Sequence, residues 1–148
     1  MDKFEALQTY LKSKKLVTAG KFDAWVETMN MQKVIKQTPA GLHFFNVQYE
    51  AMYTFEECQQ HAMVIPALVQ GWLSDFDGTR KDELEGRPKL NVIAERPRVY
   101  NVDVQITFIE KIFIHEDVNG AIEYDGKKWT GGETALSLAT QIDVINQW

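Results

Sequence analysis

The sequence predicts an α+β fold, an antiparallel β-sheet with helices packed on one face. Three observations predict it. From Tyr100 to Phe108 the apolar residues Tyr100, Val102, Val104, Ile106 and Phe108 alternate with Asn101, Asp103, Gln105 and Thr107. Successive side chains of a strand point to opposite faces, so this strand buries one face and wets the other. A second alternating segment, Leu42–Tyr53, carries aromatic and β-branched residues that suit a half-buried pleated surface. Two amphipathic helical patterns precede these strands or lie between them. The late strands are joined by short connections, which implies antiparallel pairing, with the helices segregated to one side.

The chain of 148 residues is long enough for one domain that buries roughly 70% of its unfolded surface. We expect a single domain over 1–148, with a C-terminal arm from about 130 to 148. Hydrophobic residues make up 45% and charged residues 25%, as in ordinary soluble domains. The net charge of −5 argues against binding driven by nucleic-acid phosphates, which needs a basic surface. Cys58 is the only cysteine, so no intramolecular disulfide forms and a reducing compartment fits. The first residues, Met-Asp-Lys-Phe-Glu, lack the apolar core of a signal peptide. The most apolar run, Ala62 to Leu73, is shorter than the roughly 20 residues of a membrane span. These features predict a soluble protein made in the cytoplasm, with no membrane partner.

In order, residues 2–14 read as a helix with Phe4, Leu7, Tyr10 and Leu11 on one face. Asp2 and Glu5 in its first turn, and Lys12, Lys14 and Lys15 at its end, suit the helix dipole. A turn at Gly20 follows, then a strand over about 23–29 that gives way to a bend. Pro39-Ala40-Gly41 is a turn, and Leu42–Tyr53 the next strand. Thr54 reads as an N-cap, with Glu57 completing a capping box. The helix it opens is expected to run to Leu73, with Cys58, Ala62, Ile65, Val69 and Trp72 toward the sheet and a kink at Pro66. Ser74–Pro88 is charged and reads as a long exposed loop. Lys89–Glu95 is a strand ended by Pro97. The central strand starts at Val99 and continues, bent, to His115. Asn119-Gly120 is a hairpin signal, Ala121–Tyr124 the return strand, and Asp125-Gly126 a turn. Trp129–Gly132 reads as a loop. Leu136, Leu138, Ile142, Val144, Ile145 and Trp148 make an apolar tail, either a last helix or an extended arm.

Motifs that carry chemistry are few. Asp75-Phe76-Asp77-Gly78-Thr79 matches a phosphatase signature in which the first Asp is a nucleophile and the second a general acid beside Mg²⁺. That chemistry needs the motif at the end of a buried parallel strand, whereas here it follows an amphipathic helix. A solvated loop is the better reading. An EF-hand is excluded because the glycine falls at the fourth position rather than the sixth. Cys58 and His61, one helical turn apart in this reading, make half a zinc site or a crude nucleophile–base pair, but further ligands and an orienting group are lacking. The expectation is no catalytic residue, no cofactor and no metal.

The order and spacing of several segments carry a family resemblance. They are the strand Phe44–Tyr53, the helix Val64-Ile65-Pro66-Ala67-Leu68-Val69-Gln70-Gly71-Trp72-Leu73, the polar loop, the strand Leu90–Ala94, the alternating strand from Val99, and the turn Val118-Asn119-Gly120-Ala121-Ile122. Together they resemble the tail completion protein R family of temperate phages with contractile tails. The resemblance spans roughly residues 2–125. Family members have a proline-rich C-terminal stretch where this chain has Gly131-Gly132. The resemblance implies a tail-terminator-like fold and a structural protein of the virion tail, made in the host bacterial cytoplasm. Such a protein caps the head-proximal end of the tail tube, as a ring of six copies, and prepares it for head joining. Its partners would be further copies of itself, the tail tube protein and a head–neck protein, with no sequence-specific nucleic acid. A head–tail neck or accessory protein is the alternative, and a Mg²⁺-dependent phosphatase using Asp75 and Asp77 is the enzyme alternative. The expected partner contacts are Asp75, Phe76, Asp77, Arg80 and Lys81 on the loop, and Trp148 on the arm.

Overall fold

A computed structural model describes residues 1–134. The expected apolar tail and the contact assigned to Trp148 lie outside these described residues. The elements are α1 (Asp2–Ser13), β1 (Phe22–Thr38), β2 (Gly41–Cys58), α2 (Val64–Phe76), α3 (Asp82–Glu85), β3 (Lys89–Arg96), β4 (Val99–Glu116), β5 (Ile122–Tyr124) and β6 (Lys127–Thr134). The strand order is β1-β2-β4-β6-β5, with β3 pairing to β4 outside that path. β3 with β4, β4 with β6 and β5 with β6 are all antiparallel. The fold is α+β, as the alternating strands and amphipathic helices predict. Among the described residues no helix is long and apolar enough to cross a membrane.

The chain divides into two compact units. One holds residues 3–28 and 49–108: most of α1, the start of β1, the end of β2, both later helices, β3 and the first part of β4. Its core follows the strand alternation. Tyr49, Ala51, Tyr53 and Phe55 of β2 and Val102, Val104, Ile106 and Phe108 of β4 are all buried. α1 adds Leu7 and Leu11, and α2 adds Ile65, Val69, Trp72 and Leu73. Both helices meet the same sheet face. Tyr49 Oη accepts the Phe4 N–H at 3.1 Å, Tyr53 Oη donates to the Phe4 carbonyl at 3.0 Å, and Trp72 packs edge-on to Phe108 at 6.2 Å. Tyr49 and Phe108 are themselves 5.8 Å apart.

Among the described residues, the second unit holds 1–2, 29–48 and 109–134. Leu42, Ile114 and Trp129 form its buried cluster, with Ile35, Phe44, Ile122 and Tyr124 packed around it. Glu110, buried on β4, accepts the Asp2 N–H at 2.9 Å. An anion suits the first N–H groups of a helix, where the dipole is positive.

Several expectations are corrected. Thr54–Cys58 is strand, not helix, and α2 begins only at Val64. The local capping-box pattern loses to the longer alternation of Tyr49, Ala51, Tyr53 and Phe55, which places aromatics in the core. A left-handed backbone at Glu57 (φ 53°) then resets the alternation, so that Cys58 is also buried. The Glu57 N–H donates to Asn101 Oδ1 at 2.9 Å. Pro66 therefore lies in the first turn of α2, where a missing N–H is not needed, and no kink is called for. Cys58 and His61 are not on a shared helical turn. Cys58 Sγ faces the Leu16 carbonyl at 3.9 Å, and His61 Nδ1 accepts the Met63 N–H at 3.2 Å.

β1 does not stop at 29 but runs to Thr38, with left-handed residues at Thr28 (φ 46°) and Ile35 (φ 52°). It lies at one end of the strand order and most of its side chains are exposed, so its hydrophobic signal is weak. Asn119-Gly120 does not make the hairpin. Asp117–Gly120 is a separate turn, closed by Gly120 N–H to the Asp117 carbonyl at 2.8 Å, with Asn119 N–H on Asp117 Oδ1 at 2.9 Å. The two-residue hairpin is Asp125-Gly126, with φ of 55° and 71°, flanked by the Tyr124–Lys127 pair. Positive φ at both central residues is the type I′ turn that matches strand twist. β5 consequently pairs with β6 rather than returning along β4. Trp129–Gly132, expected as loop, belongs to β6, and Trp129 is buried with its indole N–H on the Tyr124 carbonyl at 2.8 Å.

Candidate functional site

The segment expected to be a long exposed loop is a folded, ion-paired structure. α2 carries the chain through Phe76, and the Asp77 N–H makes its last helical bond to the Leu73 carbonyl at 2.9 Å. That turn directs the Asp77 carboxylate inward, where its side chain is 2% exposed. Lys3, from the first turn of α1, reaches Asp77 Oδ1 at 2.8 Å. Arg80, three residues on, places Nη1 3.6 Å from Asp77 Oδ2 and 3.1 Å from Glu85 Oε2. The same guanidinium donates to the Thr107 carbonyl of β4 at 2.6 Å and, through Nη2, to the Gly86 carbonyl at 3.0 Å. Its Cζ lies 5.8 Å from the centroid of the Phe108 ring, and its side chain is 7% exposed.

α3 exists to close this network. The Leu84 and Glu85 N–H groups both bond the Lys81 carbonyl at 3.0 Å, and Gly86 ends the turn in a left-handed conformation (φ 77°). Glu85 Oε1 accepts the Lys81 N–H at 3.3 Å. Burial pushes the Glu85 carboxyl above its ordinary value. The Asp77 charge adds to this, while the Lys81 N–H, Arg80 and Lys3 oppose it. Two cations and two carboxylates, Lys3, Arg80, Asp77 and Glu85, thus tie the loop to α1 and β4.

Of the predicted contact residues, Asp77 and Arg80 face inward, and Asp75, Phe76 and Lys81 are exposed. Phe76 stacks against Trp72 at 5.5 Å yet keeps 57% of its surface open. Asp75 and Asp77 therefore occupy opposite environments, one in water and one paired with Lys3. They sit at a helix end rather than at the tip of a parallel strand. A cavity of about 290 Å³ opens beside the network, lined by Gln70, Ser74, Asp77, Arg80 and Asp82. Among the described residues no three His, Cys, Asp or Glu side chains are grouped to hold a metal ion. What the arrangement does chemically is hold charge in place. It fixes one loop conformation and presents an outer rim of Asp75, Phe76, Lys81, Asp82, Glu83 and Leu84. The sequence hides this division, because Lys3 is 74 residues from Asp77. The one local signal is the spacing of Asp77, Arg80 and Glu85.

The family model described as P2 phage tail completion protein R (GpR) matches residues 1–134, most of the chain. Searches of the curated proteins and of the solved structures found no match.

Proposed function

This chain belongs to the P2 phage tail completion protein R family, and on that premise we propose that it is a structural tail terminator. Membership makes it a phage tail completion protein, a component of the virion tail that associates with other tail parts. In the proposed mechanism it acts as one domain, without catalysis. Identical copies join head to tail into a closed ring, six-fold in the related arrangement, which covers the head-proximal end of the tail tube. A closed ring of heterologous contacts leaves no surface for another tube layer, so growth stops, and the outer face is left for the head or neck. The acidic balance of −5 suits a ring through which DNA passes without sticking.

The observation that carries this reading is the match over residues 1–134, which spans every described element. The ion-paired loop supports it. A protein that works by shape needs contact residues held before binding, and Asp75, Phe76 and Lys81 sit on a loop anchored by Asp77 and Arg80. We assign those three exposed residues to the tube or neck contact.

The test is native mass in solution, with and without purified tail tube, by light scattering and negative-stain microscopy. Six-fold rings, or one cap at one end of each tube, are the expected result. A protein that stays monomeric and ignores tubes would refute the terminator reading.

A further inference from the structure

The unit that carries the ion-paired loop also has an apolar cavity of about 710 Å³. Leu11, Leu16, Val17, Phe22 and Phe55 line it, where α1 ends and the chain turns into β1. Lys12 and Lys15 stand at its rim, both exposed. Lys14 lies over Tyr10 at 4.9 Å, and Lys21 reaches Glu56 and Glu57 at 3.9 and 3.8 Å. Among the described residues no carboxylate lies within ion-pair distance of Lys12 or Lys15. The site is an apolar hollow with free positive charge on its edge. It fits an apolar side chain flanked by acids.

The same unit presents that chemistry elsewhere. Leu84 is 69% exposed, more than any other large apolar side chain in residues 3–28 and 49–108. It sits in Asp82-Glu83-Leu84-Glu85, and Asp82 and Glu83 are exposed beside it. Glu85 faces inward to Arg80, so the turn is held with Leu84 and two acids outward. A turn of helix with one apolar knob and an acidic collar complements the lysine-rimmed cavity in shape class and in charge.

We propose that Leu84 of one copy inserts into the Lys12–Lys15 cavity of the next copy, and that this is the contact that builds the ring. The inference rests on the ring reading above and names its interface. Knob and cavity are different surfaces of one chain, so the contact is heterologous and propagates around a ring. Leu84 is the anchor, the acids and lysines set register and exclude wrong pairings, and Arg80 keeps the knob pointing outward.

The experiment uses the full chain with purified tail tubes and reads ring formation by sedimentation and negative stain. The variants are Lys12→Glu with Lys15→Glu, Asp82→Lys with Glu83→Lys, all four together, and Leu84→Ser. Each two-site reversal is expected to raise the concentration for half-assembly by about tenfold or more, and the four-site variant to restore it. Leu84→Ser should weaken assembly without restoring to any charge partner. Thermal midpoints, and the recovery in the four-site variant, separate lost contact from lost fold. Rings that survive every reversal overturn this contact and leave the ring reading standing. Reversals that leave rings intact but stop tube capping overturn a second copy as the occupant. Wild-type protein that forms no ring, alone or on tubes, overturns both.

Discussion

Removing the Arg80 side chain should destabilise this protein severely, although sequence position places it in a surface loop. In Arg80→Ala, Glu85 loses its partner at 3.1 Å, and the Thr107 and Gly86 carbonyls lose donors at 2.6 and 3.0 Å. Breaking a buried ion pair from one side costs about 3–5 kcal/mol, because the remaining charge is left in a poor environment. Two features reduce that here. Asp77 keeps Lys3 at 2.8 Å, and the Glu85 carboxyl, already pushed above its ordinary value by burial, can take a proton. The expected loss is about 2–4 kcal/mol at neutral pH. Urea unfolding followed by far-UV circular dichroism measures it, with Lys81→Ala as an exposed control that should stay within about 0.5 kcal/mol. The deficit has a pH signature. Arg80 lowers the Glu85 carboxyl, so its removal raises that carboxyl further. The Glu85 share of the deficit must shrink as the pH falls and the group protonates in both proteins. An Arg80→Ala loss below about 1 kcal/mol would refute the buried network as the anchor of this loop.

Glu85 alone gives a second test of sign. Its folded value lies above the ordinary 4.5, so its protonated form contributes stability fully below that value and loses it as pH rises through the raised one. Glu85→Gln should therefore gain stability relative to wild type as pH rises from below 4.5 toward neutrality, and a drift the other way in thermal midpoints would contradict the burial that raises it. Gly120→Ala should lose about 1–3 kcal/mol in denaturant unfolding, since a Cβ there would collide with the Trp129 backbone. Pro66→Ala should change stability by less than about 1 kcal/mol, because Pro66 sits in the first turn of α2. A gain of about 3 kcal/mol would instead mark a proline in a helix interior.

How much was legible in the sequence follows from the range of the forces involved. The alternation from Tyr100 to Phe108 and from Tyr49 to Tyr53 is read directly, because burial of one sheet face repeats every second residue. Leu7 and Leu11, four residues apart, declare α1 because burial of one helix face repeats every three to four residues. Short patterns misled where a longer one competed. Thr54 and Glu57 fit a capping box, yet Phe55 between them is a core residue of a strand. Asn119-Gly120 fits a hairpin, but Asp117 captures the Asn119 N–H, and Asp125-Gly126 makes the turn instead. Pro66 suggests a kink only if the helix is capped at Thr54, whereas its N-cap is Met63. The site was least legible. Asp77 and Arg80 are charged residues in a charged stretch, and nothing local says that they face Lys3 and Thr107.

Buried charge is a costly way to hold a loop, since the ions must leave water and apolar residues of equal size often do as well. The arrangement here is intelligible if the loop has to hold one shape while its surface stays polar. The inner charges balance, two cations against two carboxylates, and each is tied to a neighbour. The outer charges of the short helix do not balance: Asp82 and Glu83 directly precede Leu84, and the helix Asp82–Glu85 contains no base. A loop that only needed to be soluble would not require the inner set, and one that only needed to be stable would not expose Leu84. The inner ions fix the direction in which the outer residues point, which is what recognition through shape demands of a segment before its partner arrives.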